Sequence, residues 1–189
     1  MTTYRLRHED PTTLDLIEQA KRGSESAWEQ IYGSLAGPVT GYLRSRGAAD
    51  PEDLSSEVFL QVARDIHRFK GDADKFRSWV FVIAHRRLID ARRKASRRPV
   101  LVEETVSQVD ESGGDVEEEV MSNLGTAWMR EVFESLTDEQ QQVLSLRIIA
   151  DLSLEDTAAV MGKRVGAIKA LQRRALLAVK TQLAEAGVS

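Results

Sequence analysis

The chain has 189 residues, of which 42% are hydrophobic and 30% charged, with a formal net charge of −4 and no cysteine. This length allows one large or two small helical domains, and the absence of cysteine excludes a disulfide framework or a thiolate metal site and favours a reducing compartment. No segment has the apolar run of a signal peptide or of a membrane-spanning helix, so we expect a cytoplasmic protein without membrane insertion.

Glycine and proline mark the limits of the first two predicted helices. Apolar residues recur at helical spacing after Pro11 and stop at Gly23. Ser24 is a suitable N-cap for a second helix, which ends at Gly47. We expect Pro38 to kink or interrupt this second helix, because proline lacks the backbone N–H that a helix interior needs.

The third and fourth predicted helices differ in character. Asp50-Pro51 opens the third, because proline suits the first helical turn and early acidic residues favour the positive end of the helix dipole. The fourth follows a break at residues 70–74 and is apolar on every side over residues 79–84, which predicts burial between other helices. It then becomes strongly basic over residues 92–98. Three aromatic residues near its start are therefore expected in the core: Phe76, Trp79 and Phe81.

An acidic segment separates two helical domains. Residues 99–128 contain no lysine or arginine, whereas acidic side chains accumulate there around Gly113-Gly114. A segment of this composition without sustained periodicity is typical of a flexible, self-repelling linker. We therefore predict an all-α protein with domains over residues 10–97 and 125–186 and a linker over residues 98–124.

The second domain carries sharper helix signals. Thr137 and Gln140 have the spacing of a capping box, in front of a helix predicted to run through Ile149. Ser153 and Asp156 form a second such pair before a short helix that ends at Gly162. A longer basic helix follows over residues 165–180, and this succession is typical of a helix-turn-helix that places its second helix in the DNA major groove.

The longer helix has two faces when it is projected at about 100° per residue. One face is apolar and the other could meet phosphates or base edges. The apolar face holds Ile168, Leu171, Ala175 and Val179; the polar face holds Lys169, Gln172, Arg173 and Lys180. Leu176 lies among the polar residues, where it could contact a thymine methyl group or pack on a neighbouring helix. Arg174 lies nearer the apolar side. A basic face alone is more often only a solvated surface, but the preceding helix and turn favour DNA binding.

Three segments in this order resemble the extracytoplasmic-function group of bacterial sigma factors. They are DPEDLSSEVFLQVARDIHRF, FRSWVFVIAHRRLIDARRK and LTDEQQQVLSLRIIADLSLEDTAAVMGKRVGAIKALQRRAL. In that family the first two belong to the region 2 domain and the third to region 4. The resemblance implies a dissociable subunit that brings core RNA polymerase to promoter DNA and helps to melt it.

The resemblance also implies roles for individual residues. Contacts with the polymerase clamp helices would come from Asp50, Glu52, Asp53 and Glu57. Contacts with the minus-ten element would come from Phe69, Lys70, Arg86, Arg87, Asp90, Arg93 and Lys94. Contacts with the minus-thirty-five element would come from Arg164, Lys169, Gln172, Arg173 and Arg174. Ser55-Ser56 departs from the usual residues of the family, so the detail of the polymerase contact does not follow from this chain. Ala170-Leu171 also departs from them and removes a polar contact, so the promoter sequence does not follow either.

Other readings stay open. A stand-alone helix-turn-helix repressor would explain the second domain, and a helical adaptor without a DNA role would explain the linker. The linker acids at residues 117–119 could imitate RNA in the polymerase or could belong to a simple tether. We expect no cofactor, metal or enzymatic activity, because the chain has scattered histidines, no phosphate-binding glycine loop and no serine elbow. Many members of the family are held inactive by an anti-sigma factor, so we expect such a partner here.

Overall fold

The computed structural model describes residues 11–96 and 129–185, and every regular element in these two ranges is helical. The first range holds α1 (Pro11–Lys21), α2 (Glu25–Ser45), α3 (Pro51–Asp65), a 3₁₀ turn (Ile66–Arg68) and α4 (Ala73–Ser96). The second holds α5 (residues 129–134), α6 (Asp138–Leu144), a π-helical turn (Ser145–Ile149), α7 (Leu154–Met161) and α8 (Val165–Glu185). The prediction of an all-α chain with two helical regions is confirmed. The acidic linker lies outside the described residues.

Local signals set the helix ends in the first half. Gly23 and Gly47 follow α1 and α2 with positive φ angles of 88° and 70°. The Ser24 hydroxyl accepts a hydrogen bond from the backbone N–H of Ala27, and the Asp50 carboxylate accepts one from that of Asp53 at 2.8 Å. Of the two effects predicted for Pro38, the interruption is wrong, because α2 is continuous from Glu25 to Ser45 with Pro38 inside it, and the kink stays a prediction.

The second half follows its capping signals with two differences. Both hydrogen bonds of the Thr137–Gln140 capping box are present, and Gly162 ends α7 in the left-handed conformation. At the second predicted box, the Asp156 carboxylate accepts from the Ser153 hydroxyl rather than from its backbone N–H. The helix predicted to reach Ile149 changes to π geometry after Leu144, a widening that proteins often place at functional contacts.

One large hydrophobic core joins the two halves. Its members in the first half include Ile31, Tyr42 and Phe81, all fully buried. The second half adds four side chains to the same core: Leu146, Ala150, Leu152 and Val160. Helix α4 packs on α7, and α2 packs on the π turn. The second half therefore lies directly against the first in this structure.

Smaller cores hold the second half together. One consists of Val143, Ala158, Ile168 and Leu171, and the other of Leu136, Leu144 and Ala175. Both include residues of α8, so α8 is fixed by its own domain, whereas the π turn and α7 also contact the first half.

Candidate nucleic-acid interface

Helix α8 buries one face and exposes the other, as its sequence predicts. Ile168, Leu171 and Ala175 are buried, and Val179 is half-buried. On the opposite face Lys169 and Arg173 are exposed, Gln172 is half-buried and Lys180 is exposed. These cations follow the left-handed turn at Gly162, so the face lies where a helix-turn-helix presents its groove-reading residues.

Three further side chains complete the surroundings of this face. Arg164 is exposed in the turn before α8. Arg174 is also exposed, although its position suggested the apolar side, and its Nε donates to the carbonyl of Ala170 at 3.4 Å. Leu176 is 49% exposed, so about half of this residue is open to solvent on the basic face.

Some basic candidates on α4 and just before it are exposed, and others bond to neighbouring side chains. Lys70, Arg86 and Lys94 are exposed. Arg87 donates from Nε to Gln61 at 2.8 Å and lies 3.4 Å from the carboxylate of Glu57. Asp90 and Arg93 form an exposed ion pair of 3.9 Å one turn apart, which is expected to be weak in water.

Phe69 occupies a different environment from the other minus-ten candidates. This residue is only 7% exposed. It lies edge-on to Phe76 and tilted against Trp79, with centroid separations of 5.2 and 5.3 Å, and the Lys21 ammonium lies 5.8 Å from its centre. A base could stack on this ring only after the aromatic cluster opens. The predicted core positions of Phe76 and Phe81 are confirmed by full burial, and Trp79 is half-buried.

The acidic candidates gather at the start of α3. Asp50 is the N-cap, while Glu52 and Asp53 lie exposed in the first turn. Glu52 pairs with Arg44 of α2, and Glu57 pairs with Arg87 of α4. Ser55 is buried and Ser56 is exposed. The carboxylates at the start of α3 are therefore available to a partner, although part of their charge is balanced within the domain.

Sequence reasoning missed a charged cluster between the two halves. The buried guanidinium of Arg46, at the end of α2, donates to the Asp138 carboxylate of α6 and to Gln141 at 2.8 Å. Arg92 of α4 donates to the Arg46 carbonyl, and its Nη1 lies 3.6 Å from the same Asp138 oxygen. The partners are separated by 46 to 95 residues, so no local spacing could have indicated them.

His85 lies beside this cluster and contacts both halves. Its Nδ1 lies 3.0 Å from the Tyr42 hydroxyl, and its ring nitrogens lie 3.2 Å from the side-chain amide of Gln142. Burial lowers the pKa of His85, and the positive charges of Arg46 and Arg92 lower it further. Burial likewise raises the pKa of Tyr42 well above its ordinary value. Both side chains therefore stay neutral and hydrogen-bonded at neutral pH.

The two described ranges offer neither a metal-binding cluster nor a helix suited to a bilayer. Residues 11–96 and 129–185 contain no cluster of three or more histidine, aspartate or glutamate side chains that could hold a metal ion. None of the helices in these ranges is both long and apolar enough to cross a bilayer.

Comparison with known families assigns both halves. Residues 31–98 match the family described as Sigma-70 region 2, and residues 132–181 match Sigma-70, region 4. Region 2 therefore contains most of α2, together with α3 and α4, and region 4 contains α6, α7 and most of α8. Together the two matches cover more than half of the chain.

Several curated proteins are similar over most of this chain. The ECF RNA polymerase sigma factor BldN of Streptomyces coelicolor is 32% identical over 165 residues, which are 86% of this chain and 62% of BldN. ShbA of Streptomyces griseus is 29% identical over 183 residues, covering 90% of this chain and 95% of ShbA. SigD of Mycobacterium tuberculosis is 26% identical over 178 residues, 91% of this chain and 84% of SigD.

A solved structure has the same fold. CnrH, in complex with the cytosolic domain of CnrY, superposes with a TM-score of 0.66 at 22% identity, over 93% of this chain and 99% of CnrH. Regions 2 and 4 in one chain, with these relatives, identify the protein as a member of the extracytoplasmic-function family of RNA polymerase sigma factors.

Proposed function

We propose that this protein is a dissociable sigma factor, which binds core RNA polymerase and directs it to a set of promoters. The observation that carries the proposal is α8, whose Lys169 and Arg173 are exposed directly after the left-handed turn while Ile168 and Leu171 anchor the opposite face. An exposed arginine in this position can bond base edges, and a lysine can contact phosphate.

Region 4 would read the minus-thirty-five element. The proposed contacts are Arg164, Lys169, Gln172, Arg173 and Arg174. Four of these are exposed and Gln172 is half-buried, so all five can be reached from solvent.

Region 2 would hold and melt the minus-ten element. The proposed contacts are Phe69, Lys70, Arg86, Arg87, Asp90, Arg93 and Lys94. Exposed cations at Lys70, Arg86 and Lys94 could contact the phosphate backbone of a single DNA strand. Burial of Phe69 implies that its use for base stacking would require the aromatic cluster to rearrange.

Docking on the polymerase would use the start of α3. The proposed residues are Asp50, Glu52, Asp53 and Glu57, of which Glu52 and Asp53 extend into solvent from the first turn. The proposal includes no catalytic site and no cofactor, and it places the protein in the cytoplasm with the polymerase. It also includes an anti-sigma factor as a regulator, which co-purification should return together with polymerase subunits.

Run-off transcription tests the proposal directly. Core polymerase is supplied with a pooled genomic promoter library, with and without this protein. We expect new discrete start sites that share two spaced upstream elements. Tight duplex binding without new starts would instead indicate a stand-alone helix-turn-helix regulator, and the absence of salt-dependent DNA binding would indicate an adaptor.

A further inference from the structure

Asp138 of region 4 lies between two arginine side chains of region 2. One oxygen of its carboxylate accepts from the Arg46 guanidinium and lies 3.6 Å from Nη1 of Arg92. The Arg46 side chain is 2% exposed, whereas that of Asp138 is 65% exposed. The carboxylate is therefore inserted at the edge of the contact between the halves, within reach of solvent, and it meets a guanidinium that is otherwise buried.

Arg92 is held in place independently of Asp138. Arg92 donates to the carbonyl of Arg46 at the C-terminus of α2, where helix carbonyls lack partners within the helix. This bond lies wholly within region 2. The Arg92 guanidinium therefore stays beside the end of α2, next to Arg46, when region 4 moves away. Both guanidiniums then lose their only carboxylate partner among the described residues, and Arg46 also loses the Gln141 amide.

Guanidinium groups bind phosphate with the same geometry as carboxylate, because both anions offer oxygens to the planar N–H fork. Arg92 lies in the basic end of α4 beside Arg93 and Lys94, which are exposed. We propose that Arg46 and Arg92 form a binding site for a phosphate of the DNA backbone, and that Asp138 occupies this site while the two domains are packed together.

This inference rests on the proposed function only in naming DNA as the polyanion. A phosphate and the Asp138 carboxylate cannot share the two guanidiniums, because both are negatively charged. Packing of region 4 on region 2 and DNA binding at this site therefore exclude each other. The free protein therefore binds DNA more weakly in the closed arrangement, and separation of the domains adds a contact between the two arginines and a DNA phosphate.

Asp138→Asn is the first test, since it removes the charge that occupies the site. The full-length variant is titrated onto a fluorescently labelled duplex of mixed sequence, without polymerase, between about 50 and 200 mM salt. We expect tighter binding than for the unchanged protein. The logarithm of the binding constant should also fall more steeply with the logarithm of the salt concentration, by about 0.9 in slope for each phosphate gained. Each such contact corresponds to roughly a 3–4-fold larger loss of affinity across that salt range.

Glu134→Gln is the matched control. It removes one negative charge from an exposed side chain of the same domain, and this carboxylate forms no ion pair with region 2 within residues 11–96 and 129–185. We expect it to leave the salt slope unchanged. An equal steepening in Asp138→Asn and Glu134→Gln would overturn the inference, because net charge alone would then explain the effect.

A second variant opens the domains without changing any charge. A Cβ at Gly41 of α2 would lie 3.2 Å from the Ile149 side chain in the π turn, so Gly41→Leu should wedge the halves apart. We expect a larger radius of gyration by small-angle X-ray scattering and the same steeper salt slope. Addition of Arg92→Ala to Gly41→Leu should return the slope to that of the unchanged protein.

The outcomes separate this inference from the proposed function. If Gly41→Leu expands the protein but neither it nor Asp138→Asn alters DNA binding, the phosphate site is wrong, whatever run-off transcription gives. If both variants make the salt dependence of DNA binding steeper and Arg92→Ala removes this effect, the phosphate site is confirmed. Failure of promoter-directed transcription in the same preparation would then contradict only the sigma-factor proposal.

Discussion

Helices α4 and α8 are both long and basic, yet they use their charges differently. On α8 the cations at Lys169 and Arg173 are exposed, and burial is confined to one face. On α4 the cations at Arg77, Arg87 and Arg92 bond to Ala150, Gln61 and Arg46 respectively. The basic side chains of a helix at the edge of a domain remain largely exposed to solvent. Several basic side chains of a helix between domains form hydrogen bonds within the protein instead.

The largest contrast between the two helices should appear in stability. Phe81 of α4 is fully buried, and its ring lies 5.7 Å from that of Tyr42. Phe81→Ala should lower the free energy of unfolding by about 3–5 kcal/mol, through lost burial and the cavity left behind. Leu177→Ala on α8, at a side chain that is 62% exposed, should change it by no more than about 0.5 kcal/mol. Urea denaturation measures both, and similar losses would contradict the burial of the two helices.

The exposed face of α8 should dominate promoter choice. Arg173→Ala should cost about 1–3 kcal/mol at a promoter where the side chain contacts a base, and less where it meets only phosphate. Competitive run-off transcription between promoters measures this effect. Arg130→Ala, which removes the same charge from an exposed position on α5, is the matched control. Equal losses in both variants at every promoter would show that Arg173 supplies charge and no base recognition.

The contact of α4 with region 4 should weaken in acid. His85 has a lowered pKa in the closed arrangement, because of burial and the charges of Arg46 and Arg92, with Asp138 opposing them. In the open form Arg46 and Arg92 remain beside His85 and Asp138 leaves, but region 4 no longer covers the imidazole. Because burial is the largest cause of the lowered pKa, the open form should bind the proton more readily. Closure is therefore fully stable above the ordinary histidine pKa of about 6.5 and is lost progressively as the pH falls below it.

Small-angle scattering across this pH range measures the opening as an increase in the radius of gyration. His85→Gln removes the titrating group and should flatten the profile, while Tyr42 stays neutral throughout because its pKa is raised. An unchanged pH response in His85→Gln would assign the acid sensitivity to another group.

The smallest stability effect is expected at the start of α3. Glu52 and Arg44 form an ion pair in which both side chains are more than half exposed, so its loss should cost about 0.2–1 kcal/mol. Glu52→Gln and Arg44→Gln break the same pair, but only Glu52→Gln removes a proposed docking charge. We expect Glu52→Gln alone to weaken binding to core polymerase in a pull-down or a fluorescence titration. Equal weakening by both would make the ion pair, rather than the carboxylate, responsible.

Local sequence determined much of this protein. The caps at Ser24, Asp50 and Thr137, the turn at Gly162 and the buried face of α8 were all predictable, because each depends on residues within one or two helical turns. The three segments that resemble the sigma factor family likewise indicate regions 2 and 4 from sequence alone.

Tertiary structure alone decided how the two regions meet. The π turn after Leu144, the burial of Phe69 and the placement of Asp138 between Arg46 and Arg92 depend on partners far apart in the chain. The Arg46–Asp138 bond spans 92 residues, and neither helical periodicity nor capping carries information over that distance. Sequence therefore specified the helices and the DNA-reading face, while long-range packing specified which charges remain free to use.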